Sequence, residues 1–168
     1  MNDPGRSSTD DEVPMSMSWR YDDAKVSAPS LIIVGMMPSE FGDPNRPCMA
    51  RVGIRLQELA DPIVLLRCER CNLNFRWMPK FSIGEAMMRA DLILARKPKR
   101  ILALGREVSV CFGFKPKDPF LSSRFIKSSN VLLLPHPSTL NRWWNDEQNV
   151  KNAKVAVKQF LKTYDANL

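Results

Sequence analysis

Four short, wholly apolar runs divide the chain, at residues 31–34, 63–66, 101–104 and 131–134. Runs of this length with no polar alternation are expected of strands inside a parallel sheet that is covered on both faces. The first and third close on glycines, Gly35 and Gly105, and the second enters a polar segment at 67–75. Helical spacing fills the intervals. Residues 50–60 place Val52, Leu56 and Leu59 on one face and stop before Asp61-Pro62, and residues 83–96 do the same with Ile83, Met87, Ala90 and Leu94. The basic end of the latter, Arg96-Lys97, suits the negative end of a helix dipole. Residues 106–112 read as a short helix stopped at Gly113, and residues 115–129 as a basic connection punctuated by prolines. The last helix starts at Asp146 with Asn145 as its N-cap and Gln148 three positions on; Val150, Ala153, Val157, Phe160 and Tyr164 form its apolar stripe. This alternation predicts a three-layer α/β/α fold around a four-stranded, mostly parallel sheet.

In such sheets ligands bind beyond the carboxyl ends of the strands. That rule brings residues 35–40, 67–74 and 135–142 to one rim. The last of these loops holds the sole histidine, His136, between Pro135 and Pro137. Two prolines fix the backbone there, so the ring is held to present an N–H donor or an imidazolium. A structural histidine is the competing reading.

At 168 residues the chain suffices for one substantial core, and 44% hydrophobic with 26% charged residues is ordinary for a soluble globular protein. No apolar run approaches the roughly 20 residues that span a bilayer, and the opening residues lack the order of a secretory signal. The expectation is a cytoplasmic protein with no membrane contact. Charge sharpens the choice of partner. Residues 1–28 carry three basic and six acidic side chains, net −3, which with +7 overall leaves +10 on residues 29–168. The first segment reads as a disordered acidic tail and the second as the folded domain. A basic domain favours a polyanion, nucleic acid above all. Cys48, Cys68, Cys71 and Cys111 include one Cys-x-x-Cys pair. A zinc or iron–sulfur site would need all four to converge, so reduced thiols, with no metal and no cofactor, are expected.

Gly35-Met-Met-Pro-Ser39 after the first strand and His136-Pro-Ser-Thr-Leu-Asn141 after the last resemble the two signature loops of the uracil-DNA glycosylase superfamily. The resemblance runs through residues 30–165 in the order of the parts. In size it is closest to the small mismatch-specific and single-strand-selective branches. The second loop is the specific part; the first fits at its glycine and proline. The resemblance implies a monofunctional DNA glycosylase that flips uracil or a related altered base and hydrolyses its N-glycosidic bond. By similarity Leu140 is the wedge that enters the base stack. Pro38, Ser39 and Ser138 grip phosphates, with Asn141 and Arg142 in the same DNA-binding loop. His136 donates to the base oxygen as the bond breaks, a role typically worth about 3 to 4 kcal/mol. Gly35, Met36, Met37 and Phe41 line the base. An amide near the end of the second strand reads its identity, Asn72 or, as the alternate, Asn74.

The chain departs from that pattern where the family holds the attacking water. Met36 and Met37 stand in the first loop, and a thioether cannot polarise water. Glu40 is the nearest substitute in sequence. The stacking aromatic aligns with Cys48, leaving Phe41, Phe75 or Trp77. Trp143 and Trp144 either stack on an unpaired base or pack the loop on the final helix. The run 96–100, though basic, precedes a strand and so belongs at the far rim. A second function class follows from the methionines: a catalytically degenerate protein of the same fold, acting as a DNA-binding or nucleoprotein-assembly module. A nucleotide-phosphate hydrolase is disfavoured by the absence of a Gly-x-Gly-x-x-Gly or P-loop pattern. The expected partners are single- or double-stranded DNA and a replication or repair protein, with the chain itself a monomer.

Overall fold

The computed structural model describes residues 30–37, 50–74, 79–138 and 140–162. The acidic segment 1–28, the first-loop residues Pro38, Ser39, Glu40 and Phe41, and Cys48, Phe75, Trp77 and Tyr164 lie outside the described residues.

The chain folds as a mixed α/β structure around a five-stranded, mostly parallel sheet. Strand β1 (Leu31–Gly35) is followed by helices α1 (Ala50–Leu59) and α2 (Pro62–Arg67), then β2 (Glu69–Asn72), α3 (Ile83–Ala95), β3 (Arg100–Leu104) and α4 (Arg106–Cys111). Next come β4 (Ser123–Ile126), β5 (Ser129–Leu134), a 3-10 turn (Arg142–Asn145) and α5 (Glu147–Lys162). Across the sheet the strands run β2-β1-β3-β5-β4, parallel but for the β4–β5 pair. Because β1 and β3 are neighbours whose following segments lead to opposite sides, the topological switch point falls between their carboxyl ends.

The two faces of the sheet have separate cores. Ile32, Val34, Ile101, Ala103, Val131 and Leu133 pack with Ala86, Ala90 and Leu94 of α3 and Val108 of α4. The alternate residues Ile33, Leu102, Leu104, Leu132 and Leu134 pack with α1, α2 and α5 through Leu56, Leu65 and Val157. This explains the uninterrupted apolar runs: each strand must satisfy a helical layer on either side.

Several expectations are corrected. Residues 63–66 are helical, not a strand. Asp61 accepts a hydrogen bond from the Ile63 N–H at 2.7 Å and Pro62 occupies the first turn, so the run begins with a capped helix. Ile63 is 60% exposed while Leu65 is buried, a one-sided pattern foreign to a central strand. The true second strand is Glu69–Asn72, a polar edge strand that carries no apolar signature and is held by its pairing with β1. Arg96 clamps its first residue through two 2.6 Å bonds to Glu69.

The sheet has five strands instead of four because part of the 115–129 connection forms β4, antiparallel to β5. Its turn holds Lys127 at φ 54°, and Arg124 joins it to the preceding loop by stacking 4.4 Å from the Phe114 ring centroid and pairing with Asp118 at 2.7 Å. Helix α3 is rotated from the expected face: Ala86, Ala90, Ile93 and Leu94 are buried, whereas Ile83 and Met87 are about half exposed. The apolar residues of this helix surround most of its circumference, which leaves periodicity a poor guide to the buried side. The N-cap of α5 is Asp146 in place of Asn145, its Oδ1 accepting from Gln148 N at 2.8 Å and Asn149 N at 3.4 Å.

Removing that cap leaves the first turn of α5 with unpaired donors. Asp146→Ala is expected to lower stability by about 1 kcal/mol, read as a lower urea midpoint with an unchanged m-value. A wild-type midpoint would show that Asp146 does not carry the cap.

Candidate active site

Four strand ends meet at one rim. Beyond β1 lie Met36 and Met37; beyond β2, Leu73 and Asn74; beyond β3, Gly105 to Glu107; and beyond β5, the loop that holds His136. The first two segments continue side by side, with Leu73 N donating to Gly35 O at 3.0 Å and Asn74 N to Met36 O at 2.9 Å. On the other side of the switch point Gly105 N donates to Leu134 O at 2.8 Å. From β2 to β5 is three strand steps, about 14 Å at the usual inter-strand spacing.

His136 is fixed through its backbone and its ring. Its carbonyl oxygen accepts from Asn141 Nδ2 at 3.0 Å and from Trp144 Nε1 at 2.9 Å. Pro135 and Pro137, both buried, limit the backbone on either side. Nδ1 accepts the Ser138 N–H at 3.3 Å. An acceptor at Nδ1 places the proton of the neutral ring on Nε2, which is thereby the donor edge. Burial pushes the His136 pKa below its ordinary value, with the Glu107 carboxylate acting in the opposite sense. Desolvation thus favours the neutral ring.

Gly105 makes room for this arrangement. A Cβ there would lie 3.4 Å from His136 Cβ and 3.8 Å from both His136 Cδ2 and Glu107 Oε2. Its φ of 100° is itself a conformation that side chains disfavour.

The loop braces itself with residues that the sequence had suggested for DNA. Asn141 uses its Nδ2 on His136 and its Oδ1 on Trp143 N at 3.1 Å, so the structure places it as an internal strut. Trp144 is buried and meets Trp143 edge-on at 4.8 Å, with Phe120 a further edge contact at 5.9 Å from Trp143. The tryptophan pair therefore packs the loop on the body of the protein. Leu140 is 89% exposed, its N–H bonded to Ser138 Oγ at 3.2 Å. The Ser138 hydroxyl proton has no acceptor among the described residues, and Arg142 is exposed.

At the opposite side Asn72 ends β2 in register with Gly35 and is half-buried. Asn74 is the fully buried amide. Its Nδ2 donates to Ser82 O at 3.2 Å and Glu85 Oε2 at 3.0 Å, while Oδ1 has no hydrogen-bond partner among the described residues. Since both partners of Nδ2 are acceptors, the reverse amide orientation would set oxygen against oxygen. Met36 packs against the core beneath α3 and α4, and Met37 is half-buried.

Gly105, Glu107 and the Ser82–Glu85 support of Asn74 were not singled out in the sequence. The rim rule, applied to the loop after β3 as to the others, would have found the first two. The third depends on α3 approaching β2, which no local pattern encodes. Among the described thiols, Cys68 and Cys111 donate to the carbonyls of Leu65 and Glu107, and burial raises the pKa of both. Arg96 and Arg100 lie at the amino end of β3, away from His136.

A depressed histidine pKa has a definite linkage sign. Unfolded, the ring titrates at about 6.5, so between the native and unfolded values the unfolded state binds more protons. The contribution is complete above about pH 6.5 and is lost as pH falls through the native pKa. Lowering pH from about 7.5 to about 5 should therefore reduce the urea midpoint of the wild type more than that of His136→Gln. Parallel curves would rule out a depressed pKa. Neither a family model nor a curated protein matches the chain.

Proposed function

We propose that this chain is a DNA glycosylase of the uracil-DNA glycosylase type, which flips uracil or a related altered base and hydrolyses its N-glycosidic bond. The observation that carries this reading is His136, a half-buried ring on a doubly clamped backbone whose Nδ1 accepts the Ser138 N–H, which leaves the proton of the neutral ring on Nε2. A neutral donor suits a leaving base, whose carbonyl oxygen gains negative charge as the bond to C1′ breaks. It stabilises that charge without being consumed as an acid.

The surroundings agree with such a task. Leu140 projects into solvent four residues beyond the histidine, as a wedge requires. Ser138 and Arg142 flank it with groups suited to phosphates. On this reading the half-buried Asn72, which ends β2 beside Gly35, recognises the base, because Asn74 is wholly buried with its Nδ2 taken by Ser82 and Glu85. The +10 charge of residues 29–168 favours binding to DNA.

A second reading has one specific observation in its favour. Met36 is packed against the core and offers no polar atom to a water. The same fold would then serve as a DNA-binding or nucleoprotein-assembly module without turnover.

The deciding assay uses labelled single- and double-stranded DNA carrying uracil, hypoxanthine, xanthine or a hypermodified pyrimidine, with alkaline cleavage of abasic sites. Excision of at least one base is expected. His136→Ala should slow it about 10²- to 10³-fold while DNA binding persists, and Leu140→Ala should impair duplex substrates more than single strands. Retained binding with no product on any substrate would favour the module.

A further inference from the structure

The first loop offers thioethers at Met36 and Met37, where a glycosylase needs a group to hold its nucleophile. The carboxylate beside His136 comes instead from the segment after β3. Glu107 is exposed in the first turn of α4. Its Oε2 and the His136 Cδ2 each lie 3.8 Å from the point that a Gly105 Cβ would occupy. His136 Cβ lies 3.4 Å from the same point, so the carboxylate stands on the Cβ–Cδ2 side of the imidazole, and Cδ2 adjoins the donor nitrogen Nε2 in the ring.

Two further features keep this carboxylate available. Glu107 forms no ion pair among the described residues. The adjacent Arg106 is turned aside, stacked 4.1 Å from the Phe120 ring centroid and donating to the carbonyls of Pro116 at 2.9 Å and Asp118 at 2.7 Å.

We propose that Glu107 is a catalytic residue which holds and deprotonates the attacking water beside His136; this inference rests on the glycosylase reading. As the C1′–N bond breaks, its electron pair leaves with the base, whose oxygen accepts the hydrogen bond from His136 Nε2–H. The water oxygen bonds to C1′ and one water proton passes to the Glu107 carboxylate. That proton later returns through solvent to the base, so one water is consumed and the neutral base and an abasic sugar are released. The polar group that Met36 and Met37 cannot offer is thereby supplied from β3, across the same switch point.

The test is single-turnover excision by wild type, Glu107→Gln, Glu107→Ala and His136→Ala on the base that the wild type removes. Glu107→Gln and Glu107→Ala should be slower by about 10²- to 10⁴-fold, with DNA affinity unchanged. Sodium azide should restore Glu107→Ala and yield a 1′-azido sugar, because azide attacks without losing a proton. It should not restore His136→Ala. A Glu107→Gln rate within about threefold of wild type, or a Glu107→Ala variant that azide leaves slow, would overturn the assignment. So would a Glu40→Gln variant that loses activity beside a normal Glu107→Gln. Wild-type protein inert on every base would refute the glycosylase reading itself, and this inference with it.

Discussion

Two hydrogen bonds to one carbonyl oxygen organise the rim of this fold. The His136 carbonyl is where β5 ends and the polar loop begins, and it is held by Asn141 Nδ2 and Trp144 Nε1 together. A half-buried carbonyl needs such partners. Here both come from later in the same loop, so satisfying the oxygen also closes the loop and seats Trp144 in the core beneath α5. The exposed Leu140 is the apex of that closed segment. The ring position, Leu140 and the start of the last helix are therefore one mechanical unit.

The electrostatics follow from the same closure. Seating the ring against Gly105 removes it from water, and desolvation opposes the imidazolium. The Ser138 N–H at Nδ1 then selects which nitrogen keeps the proton. A neutral ring with its proton on Nε2 differs from a cation as a donor: its hydrogen bond strengthens as the acceptor gains charge, which favours a transition state over a ground state. Glu107 faces the same spot but does not neutralise the donor by bonding to it. The opposite bank, Asn74 with Ser82 and Glu85, is built by the same means, a buried polar side chain whose orientation is imposed by its partners.

The sequence revealed what depends on strong local patterns. The apolar runs at 31–34, 101–104 and 131–134 became β1, β3 and β5, because each must be covered on both faces and has few other ways to be buried. The run at 63–66 looked the same and became a helix, since four apolar residues carry no period and the deciding signal was the Asp61-Pro62 cap before them. Strand β2 carries no apolar signal because its polar residues are held by pairing with β1, far away in sequence, and β4 none because Ser-Arg-Phe-Ile joins β5 through a tight turn that contains no glycine. His136, Ser138 and Leu140 could be picked out as a compact motif. That Asn141 serves as a strut and Trp143 with Trp144 as packing required geometry, because an asparagine that braces a loop and one that faces DNA are identical in sequence. Glu107 stands in no local motif, and its place near His136 comes from the approach of the loop after β5.

The neutral Nε2–H state of His136 is the point on which the catalytic reading turns, and the chain's sole histidine makes it directly observable. Long-range ¹H–¹⁵N correlation spectra of ¹⁵N-labelled protein near neutral pH distinguish the two neutral tautomers and the imidazolium by their nitrogen shifts. The structure predicts a single imidazole with a bare Nδ1 and a protonated Nε2. A proton on Nδ1, or an imidazolium under the same conditions, would contradict the arrangement at its centre.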